Sequence, residues 1–150
     1  MKKNYQKILF VFGVPLTLFI VLVFVGLNKT GKDSQYYKSI GLKLNGKIES
    51  VKELRYGHNF GVISIGINYS NINEYDKRAE LKRYLGVIKN RKADIVFNSI
   101  SSVKIGDSIV INIEKYKIFR DGKLINENFI SMPSNFIFSP FREINRKVSL

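Results

Sequence analysis

The side chains best suited to acid–base or metal chemistry are scarce in this chain. It contains one histidine, His58, and no cysteine. A structural zinc site needs several nitrogen or sulfur ligands, and a nucleophile–histidine–acid relay needs an acid that orients the histidine. Because no acidic residue lies beside His58, we interpret it as a solvent-exposed histidine of a turn. The sequence predicts no catalytic residue and no metal ligand.

Two pairs of carboxylates remain as candidates for acid–base chemistry, Glu49 with Glu53 and Glu74 with Asp76. Hydrolysis by paired acids needs two carboxyl groups that face each other across a cleft. Each pair lies close together in sequence among lysines, so we interpret both as parts of solvated faces. The sequence has none of the common nucleotide, calcium or hydrolase motifs, and it predicts no cofactor. A hydrolase that uses Glu or Asp alone is our third reading.

The strong positive charge raises the question of an anionic partner. The 150 residues carry a formal net charge of +13, with 18 lysines and 7 arginines. Clustered cations favour phosphate binding, but here acidic residues separate many of the basic ones, as on a solvated surface. The alternative is an OB-like module that binds nucleic acid or anionic lipid through its basic surface. We disfavour nucleic acid because the OB-fold places its helix after three strands, whereas here two strands precede it.

The amino-terminal segment has the composition of a membrane anchor. Residues 8–27 carry no charge, and 20 residues in a helix span about 30 Å of hydrocarbon. The basic end, residues 1–7, is typical of a signal sequence, but no pair of small residues suitable for cleavage follows the apolar run. The sequence therefore predicts an uncleaved transmembrane helix, with residues 28–39 as a tether to the body.

The body, residues 40–130, has the pattern of a β-rich domain. Apolar residues alternate from Ile40 to Ile48, and their parity changes afterwards, which predicts a strand with a bulge near Glu49 and Ser50. A turn over residues 56–59 and a second alternating run, residues 62–69, predict a hairpin. Residues 73–89 change to helical spacing and predict the one helix of the body. The run "ADIVF", residues 93–97, predicts a short strand.

Two glycine-containing turns are the clearest local signals. Gly106 and Asp107 predict a turn before a strand that carries Ile109, Ile111 and Ile113, and the opposite parity of Tyr116 and Ile118 predicts a bulge between them. Asp121 and Gly122 predict a type I′ hairpin, because both residues of that turn need a positive φ. We interpret these turn residues as structural.

The carboxyl-terminal segment, residues 131–150, is basic and contains prolines and the aromatic residues Phe136, Phe138 and Phe141. It shows no clear period. Our interpretation is that the aromatic residues cover an open edge or end of the sheet. The alternative is that they contact a protein partner or the bilayer surface.

The segments "LNGKIESV" and "VKIGDSIVINIEKYKIFRDGKLI" resemble a group of small membrane-anchored β-domain proteins of Bacteroidota-type bacteria, which have no assigned activity. The resemblance implies a membrane-anchored protein, which we place as a single-pass protein of the bacterial inner membrane. Lysines flank both ends of the apolar run, so we expect the carboxyl-terminal domain on the periplasmic side because a long domain translocates with little regard to its own charge. The predicted fold class is α+β: a transmembrane helix, then a small, mainly antiparallel β domain, like a partly open barrel or a sandwich, with one helix. We expect a non-catalytic envelope protein that binds or scaffolds, with the membrane and an envelope protein as its partners.

Overall fold

The computed structural model describes residues 14–55, 59–80, 84–132 and 141–150. The described chain divides into two compact units, one that ends at Gln35 and one that comprises Tyr36–Leu150. The elements are α1 (Val14–Ile40), β1 (Lys43–Glu53), β2 (Gly61–Ser70), β3 (Tyr75–Asp76), β4 (Gly86–Lys89), β5 (Lys92–Phe97), a 3-10 helix (Ile100–Ser102), β6 (Ser108–Asn112), β7 (Lys115–Arg120), β8 (Lys123–Phe129) and α2 (Phe141–Lys147).

The prediction of a transmembrane helix is wrong. Helix α1 begins at Val14 and continues to Ile40 through residues 28–39, the segment that we expected to form a tether. The helix is therefore apolar only in its first half and polar from Asn28 onward. In the part of the chain that the structure describes, no helix is both long and apolar enough to cross a bilayer.

All eight strands belong to one antiparallel sheet with the order β3-β4-β5-β2-β1-β6-β7-β8. Strands β5 and β7 are separated by three strands in the sheet, yet the rings of Phe97 on β5 and Tyr116 on β7 have centroids only 4.5 Å apart. This contact shows that the sheet is strongly curled. The concave face holds most of the apolar core. The predicted fold class is wrong, since the described chain is mostly one eight-stranded antiparallel sheet with a few helices, none of which is long and apolar enough to span a membrane.

The first predicted hairpin is confirmed. Strand β1 pairs with β2, and Leu44 and Ile48 point into the core. The pairing shifts between Ile48 and Ser50, where the bulge was predicted, and also between Asn45 and Gly46. The bulge matters for the surface because it directs the side chain of Glu49 over Gly66 of the neighbouring strand.

The helix predicted over residues 73–89 is wrong. Described residues of this segment form β3, a turn and β4. Leu85 and Ile88, two apolar residues of the supposed helical face, are buried beside or within β4. Gly86 explains why a strand is favoured, since its backbone lies so close to the β5 backbone at Asp94 that a Cβ atom would overlap the carbonyl oxygen. The run at residues 93–97 is a strand, as predicted.

Both glycine-containing turns have the predicted form. Gly106 has a φ of 93°, and the strand after it buries Ile109 and Ile111. Asp121 and Gly122 have φ values of 50° and 77° and join β7 to β8 as a type I′ turn. The bulge predicted before Tyr116 is wrong, because a two-residue turn separates β6 from β7 there.

The carboxyl-terminal segment contains a helix that the sequence pattern did not predict. Helix α2 buries Ile144, and the backbone N–H of Ser149 donates to the buried carboxylate of Asp94 on β5. The predicted contact residues Phe136 and Phe138 lie outside the described residues. Phe141 is the first residue of α2.

Candidate functional site

The turn between β4 and β5 has an unusual composition. It consists of Asn90 and Arg91, with φ values of 51° and 58°, and it is flanked by the paired residues Lys89 and Lys92. Positive φ at both central residues defines a type I′ turn, for which Asn–Gly is the preferred dipeptide. Asparagine fits the first position. Arginine at the second position adopts a left-handed conformation that costs a non-glycine residue about 1–2 kcal/mol.

The β7–β8 hairpin provides a comparison, because its turn is also of type I′. The β7–β8 turn places Gly122 at the position that Arg91 occupies in the β4–β5 turn. One hairpin thus follows the local preference for glycine and the other departs from it. Residues held in unfavourable backbone conformations are concentrated at functional sites, where the side chain is needed in that place.

Arg91 contributes to a pocket of about 430 Å³ at the end of strand β2. The pocket exists because β2 is longer than its neighbour: pairing with β5 ends at Gly66 and Lys92, while β2 continues to Ser70. The backbone N–H of Ile67 donates to the carbonyl oxygen of Arg91 at 2.9 Å, which fixes the turn against the projecting end of β2. The chain then folds back after β2 and closes the other side of the pocket with Asn73.

The lining of the pocket suits a polar, negatively charged ligand. Asn68, Asn73 and Asn90 line it together with Arg91, and Tyr69, which also lines it, is 56% exposed. None of the described residues forms an ion pair with the guanidinium of Arg91. An arginine presents paired donors that match a carboxylate or phosphate, and an amide both donates and accepts. Two isoleucines, Ile67 and Ile72, add apolar surface.

The predicted turn residue Asp107 has a structural environment. Its carboxylate is buried and accepts hydrogen bonds from Arg120 Nε at 2.9 Å, from Arg120 Nη2 at 2.8 Å and from the backbone N–H of Lys104 at 2.8 Å. The hydrogen bonds from Arg120 hold the pKa of Asp107 below its ordinary value. The ion pair between Asp107 and Arg120 links the Gly106–Asp107 turn to the end of β7, directly before the Asp121–Gly122 turn. The four predicted turn residues therefore lie in one structural region.

The candidates for acid–base chemistry are not brought together. His58 lies outside the described residues. Glu49 pairs with Lys92 at 3.0 Å, and Asp76 pairs with Arg78 at 2.6 Å. The side-chain and backbone hydrogen bonds from Arg78 lower the pKa of Asp76. Within the described ranges, no group of three or more His, Cys, Asp or Glu residues is placed to hold a metal ion.

Tyrosine hydroxyl groups connect the end of α1 to the sheet. The hydroxyl groups of Tyr36 and Tyr75 lie 2.6 Å apart, and the backbone N–H of Leu85 donates to the Tyr36 hydroxyl at 3.2 Å. Burial and the bond to Tyr36 raise the pKa of Tyr75 well above its ordinary value. Burial raises the pKa of Tyr84 to about 12. With their pKa values raised, Tyr75 and Tyr84 stay protonated at neutral pH and act as structural donors and acceptors.

Sequence reasoning missed the pocket entirely. Asn73 fell at the start of the helix predicted over residues 73–89, and Asn68 fell within the strand predicted over residues 62–69. The signal that could have indicated the site is the segment Lys89–Lys92, which has the form of a short turn with three cations and no acidic residue. No protein-family model, no curated protein and no solved structure matches this chain.

Proposed function

We propose that the domain formed by Tyr36–Leu150 is a non-catalytic binding domain, and that its pocket around Arg91 takes a negatively charged ligand with hydroxyl or carbonyl groups. The observation that carries this proposal is the arginine itself. It occupies a turn position that favours glycine, it has no ion pair among the described residues, and it lines a pocket with three amides.

Each side chain of the pocket has a distinct role in this proposal. The guanidinium of Arg91 forms paired hydrogen bonds with a carboxylate or phosphate of the ligand. The amides of Asn68, Asn73 and Asn90 pair with hydroxyl or carbonyl groups. The exposed ring of Tyr69 packs against a flat apolar face, such as one side of a sugar ring. The paired hairpin holds Arg91 in place before binding, which reduces the entropy lost on association.

The alternative of an OB-like nucleic-acid or lipid module receives less support. The OB-fold is a five-stranded barrel, whereas this sheet has eight strands in a different order. Binding of single-stranded nucleic acid also relies on several aromatic side chains on which successive bases stack. Tyr69 is the only aromatic residue among those that line the pocket.

The proposal is tested with a small probe. Galacturonate combines one carboxylate with several hydroxyl groups, and galactose is its neutral counterpart. In an NMR titration of the 15N-labelled chain, we expect galacturonate to shift the amide signals of residues 67–73 and 89–92, with a much smaller response to galactose. Arg91→Gln is expected to abolish the response. Lys123→Gln, which removes a cation beside the other type I′ turn, is expected to leave it unchanged.

Two results would count against this function. If the signals that respond to galacturonate lie elsewhere on the domain, the pocket is not the binding site. If Arg91→Gln and the unsubstituted chain respond equally, the arginine has no part in binding and its unusual backbone conformation needs another explanation.

A further inference from the structure

Three lysines beside the pocket lie in one row across the convex face of the sheet. Strand pairing places Lys89 opposite Lys92, Lys92 opposite Gly66, and Gly66 opposite Lys47. Lys47, Lys89 and Lys92 are exposed. Neighbouring strands are about 4.8 Å apart, so the row extends over about 14 Å from β4 to β1. We refer to these three residues as the lysine row.

The lysine row carries an electrostatic cost within the domain itself. Lys89 and Lys92 are directly opposite each other in an antiparallel pair, an arrangement in which like charges are destabilising. Arg91 lies between them in sequence and adds a third cation to the same turn. A bound polyanion would offset this repulsion, whereas a single small anion in the pocket would neutralise only Arg91.

One carboxylate lies within the row. The bulge of β1 places Glu49 over Gly66, and Glu49 Oε2 is 3.0 Å from Lys92 Nζ. Both side chains are about half exposed, at 43% and 56%. An ion pair of this exposure contributes little to stability, so Lys92 can exchange Glu49 for an acidic group of a ligand. Glu49 also occupies the space that a polymer crossing from Lys92 to Lys47 would need.

We infer that the ligand is a linear acidic polysaccharide, with one acidic sugar in the pocket around Arg91 and the following units along the lysine row. This inference rests on the proposed function, because the pocket supplies one end of the extended site. The row alone provides charge without orientation. The asparagines and Tyr69 of the pocket supply contacts to a hydroxyl-bearing ring, which the Asp and Glu side chains of an acidic peptide and the headgroup of phosphatidic acid do not have.

The residues of the row favour an acidic polysaccharide over single-stranded nucleic acid. The row continues in the same register to Ser108 on β6, so the stretch from β4 to β6 offers no aromatic ring for base stacking. The next residue in that register is a single ring, Phe119 on β7, whereas stacking of successive bases needs several. Acidic sugars carry their charge on a rigid, hydroxyl-rich backbone and need no stacking surface. Lysines spaced by one or two strands fit such a regular series of charges.

The test measures binding of polygalacturonate to the full chain over a range of salt concentrations. We expect affinity to fall as salt rises, with a slope set by the number of cations that contact the polymer. The double substitution Lys47→Gln with Lys89→Gln is expected to lower the slope by about 1.4, at about 0.7 for each lost contact with a flexible polyanion. A control with the same change in net charge, Lys104→Gln with Lys123→Gln, is expected to lower it far less.

Substitution of Glu49 provides a gain-of-function arm. Glu49→Gln removes the competing carboxylate, so it is expected to raise the affinity for polygalacturonate and to increase the salt slope by about 0.7. Its effect on monomeric galacturonate is expected to be small, because Glu49 is not among the residues that line the pocket.

The outcomes separate this inference from the proposed function. In one outcome, galacturonate binding depends on Arg91 but the two double variants have the same slope of polygalacturonate affinity against salt. The lysine row is then not part of the site, so the inference is wrong while the proposed function stands. If Arg91→Gln leaves galacturonate binding intact, the proposed function fails first. If a single-stranded oligonucleotide binds more tightly than polygalacturonate of equal charge, the assignment to polysaccharide is overturned.

Discussion

Replacement of Arg91 by glycine should stabilise the domain and at the same time abolish binding. Arg91 has a φ of 58°, where a non-glycine residue costs about 1–2 kcal/mol. Glycine avoids this cost but loses about 0.5–1 kcal/mol more conformational freedom on folding. The net gain for Arg91→Gly is therefore about 0.75 kcal/mol in the free energy of unfolding, within a range of about 0–1.5 kcal/mol. Relief of the repulsion from Lys89 and Lys92 acts in the same direction.

The assay for this prediction is urea unfolding followed by circular dichroism and by tyrosine fluorescence, since the chain has no tryptophan. Agreement of the two probes supports a two-state analysis. A gain of this size corresponds to a rise in Tm of about 2–4 °C for a domain of this length. Arg91→Gln serves as the matched control, because it removes the charge and keeps a side chain at the strained position. It should lose galacturonate binding with little gain in stability.

The β7–β8 hairpin offers the reverse experiment. Gly122→Arg introduces a side chain at the corresponding turn position, where φ is 77°, and should lower the free energy of unfolding by about 0.5–1 kcal/mol. Its effect on galacturonate binding should be negligible. A loss of stability in Arg91→Gly would refute the claim that the arginine is strained. Retention of binding in the same variant would refute the claim that its side chain is required.

Three further predictions concern the fold. Asp107→Ala should lower the free energy of unfolding by about 1–2 kcal/mol, because it leaves the partly exposed guanidinium of Arg120 and the backbone N–H of Lys104 without their acceptor. The pKa of Asp107 is lowered in the folded state, so the stability that its carboxylate contributes is present above the ordinary pKa of 3.8 and is lost as the pH falls through the lower folded-state pKa. In urea unfolding at a series of acidic pH values, the free energy of unfolding of Asp107→Ala should therefore decline less than that of the unsubstituted chain. Gly86→Ala should cost about 1–3 kcal/mol, measured by thermal unfolding, since its methyl group would collide with the β5 backbone. Tyr36→Phe should lower the free energy of unfolding by about 1 kcal/mol, because it removes the hydrogen bond to the Tyr75 hydroxyl. A spectrophotometric titration should show a lower pKa for Tyr75, which burial, the larger cause, still keeps above its ordinary value.

Much of the sheet could be predicted from sequence because its signals are local. Alternation of apolar residues indicated β1, β2 and β6, and Asp121 with Gly122 indicated the last hairpin. These patterns depend on the two faces of a strand and on the φ values of single residues. They do not depend on which distant segment becomes the neighbour.

The failed predictions involve contacts between distant segments. Residues 73–89 contain apolar residues at helical spacing, yet Leu85 and Ile88 are buried at β4 because Gly86 allows close approach to β5. The predicted anchor failed for a related reason. Composition alone described residues 8–27 as one apolar segment, whereas the described helix, Val14–Ile40, continues through the polar residues 28–39.

The candidate site was not predictable from any single motif. Asn68 and Asn73 reach the pocket from the end of β2 and the segment after it, whereas Asn90 and Arg91 reach it from the β4–β5 turn. Only the pairing of β2 with β5, which stops at Gly66 and leaves the end of β2 projecting, brings the two groups together. Strand lengths and registers of this kind are set by the whole sheet.

Strained backbone positions do not by themselves identify a site, and the comparison of Arg91 with Ile113 shows why. Ile113 has a φ of 61°, also unfavourable for its residue type, but its backbone N–H donates to the carbonyl oxygen of Leu42 at 2.6 Å. The next residue, Glu114, accepts a backbone hydrogen bond from Ile130 and pairs with Lys38. The fold therefore offsets the strain at Ile113 through contacts on both sides of the turn.

Arg91 differs in the part of the residue that the fold uses. Its backbone carbonyl is engaged by Ile67, and glycine would supply that carbonyl equally well without the unfavourable φ. What arginine adds is a guanidinium without an ion pair among the described residues, in a turn that Lys89 and Lys92 flank from directly opposite positions. Because no contact of the described fold requires that side chain, we propose an external anion as its partner.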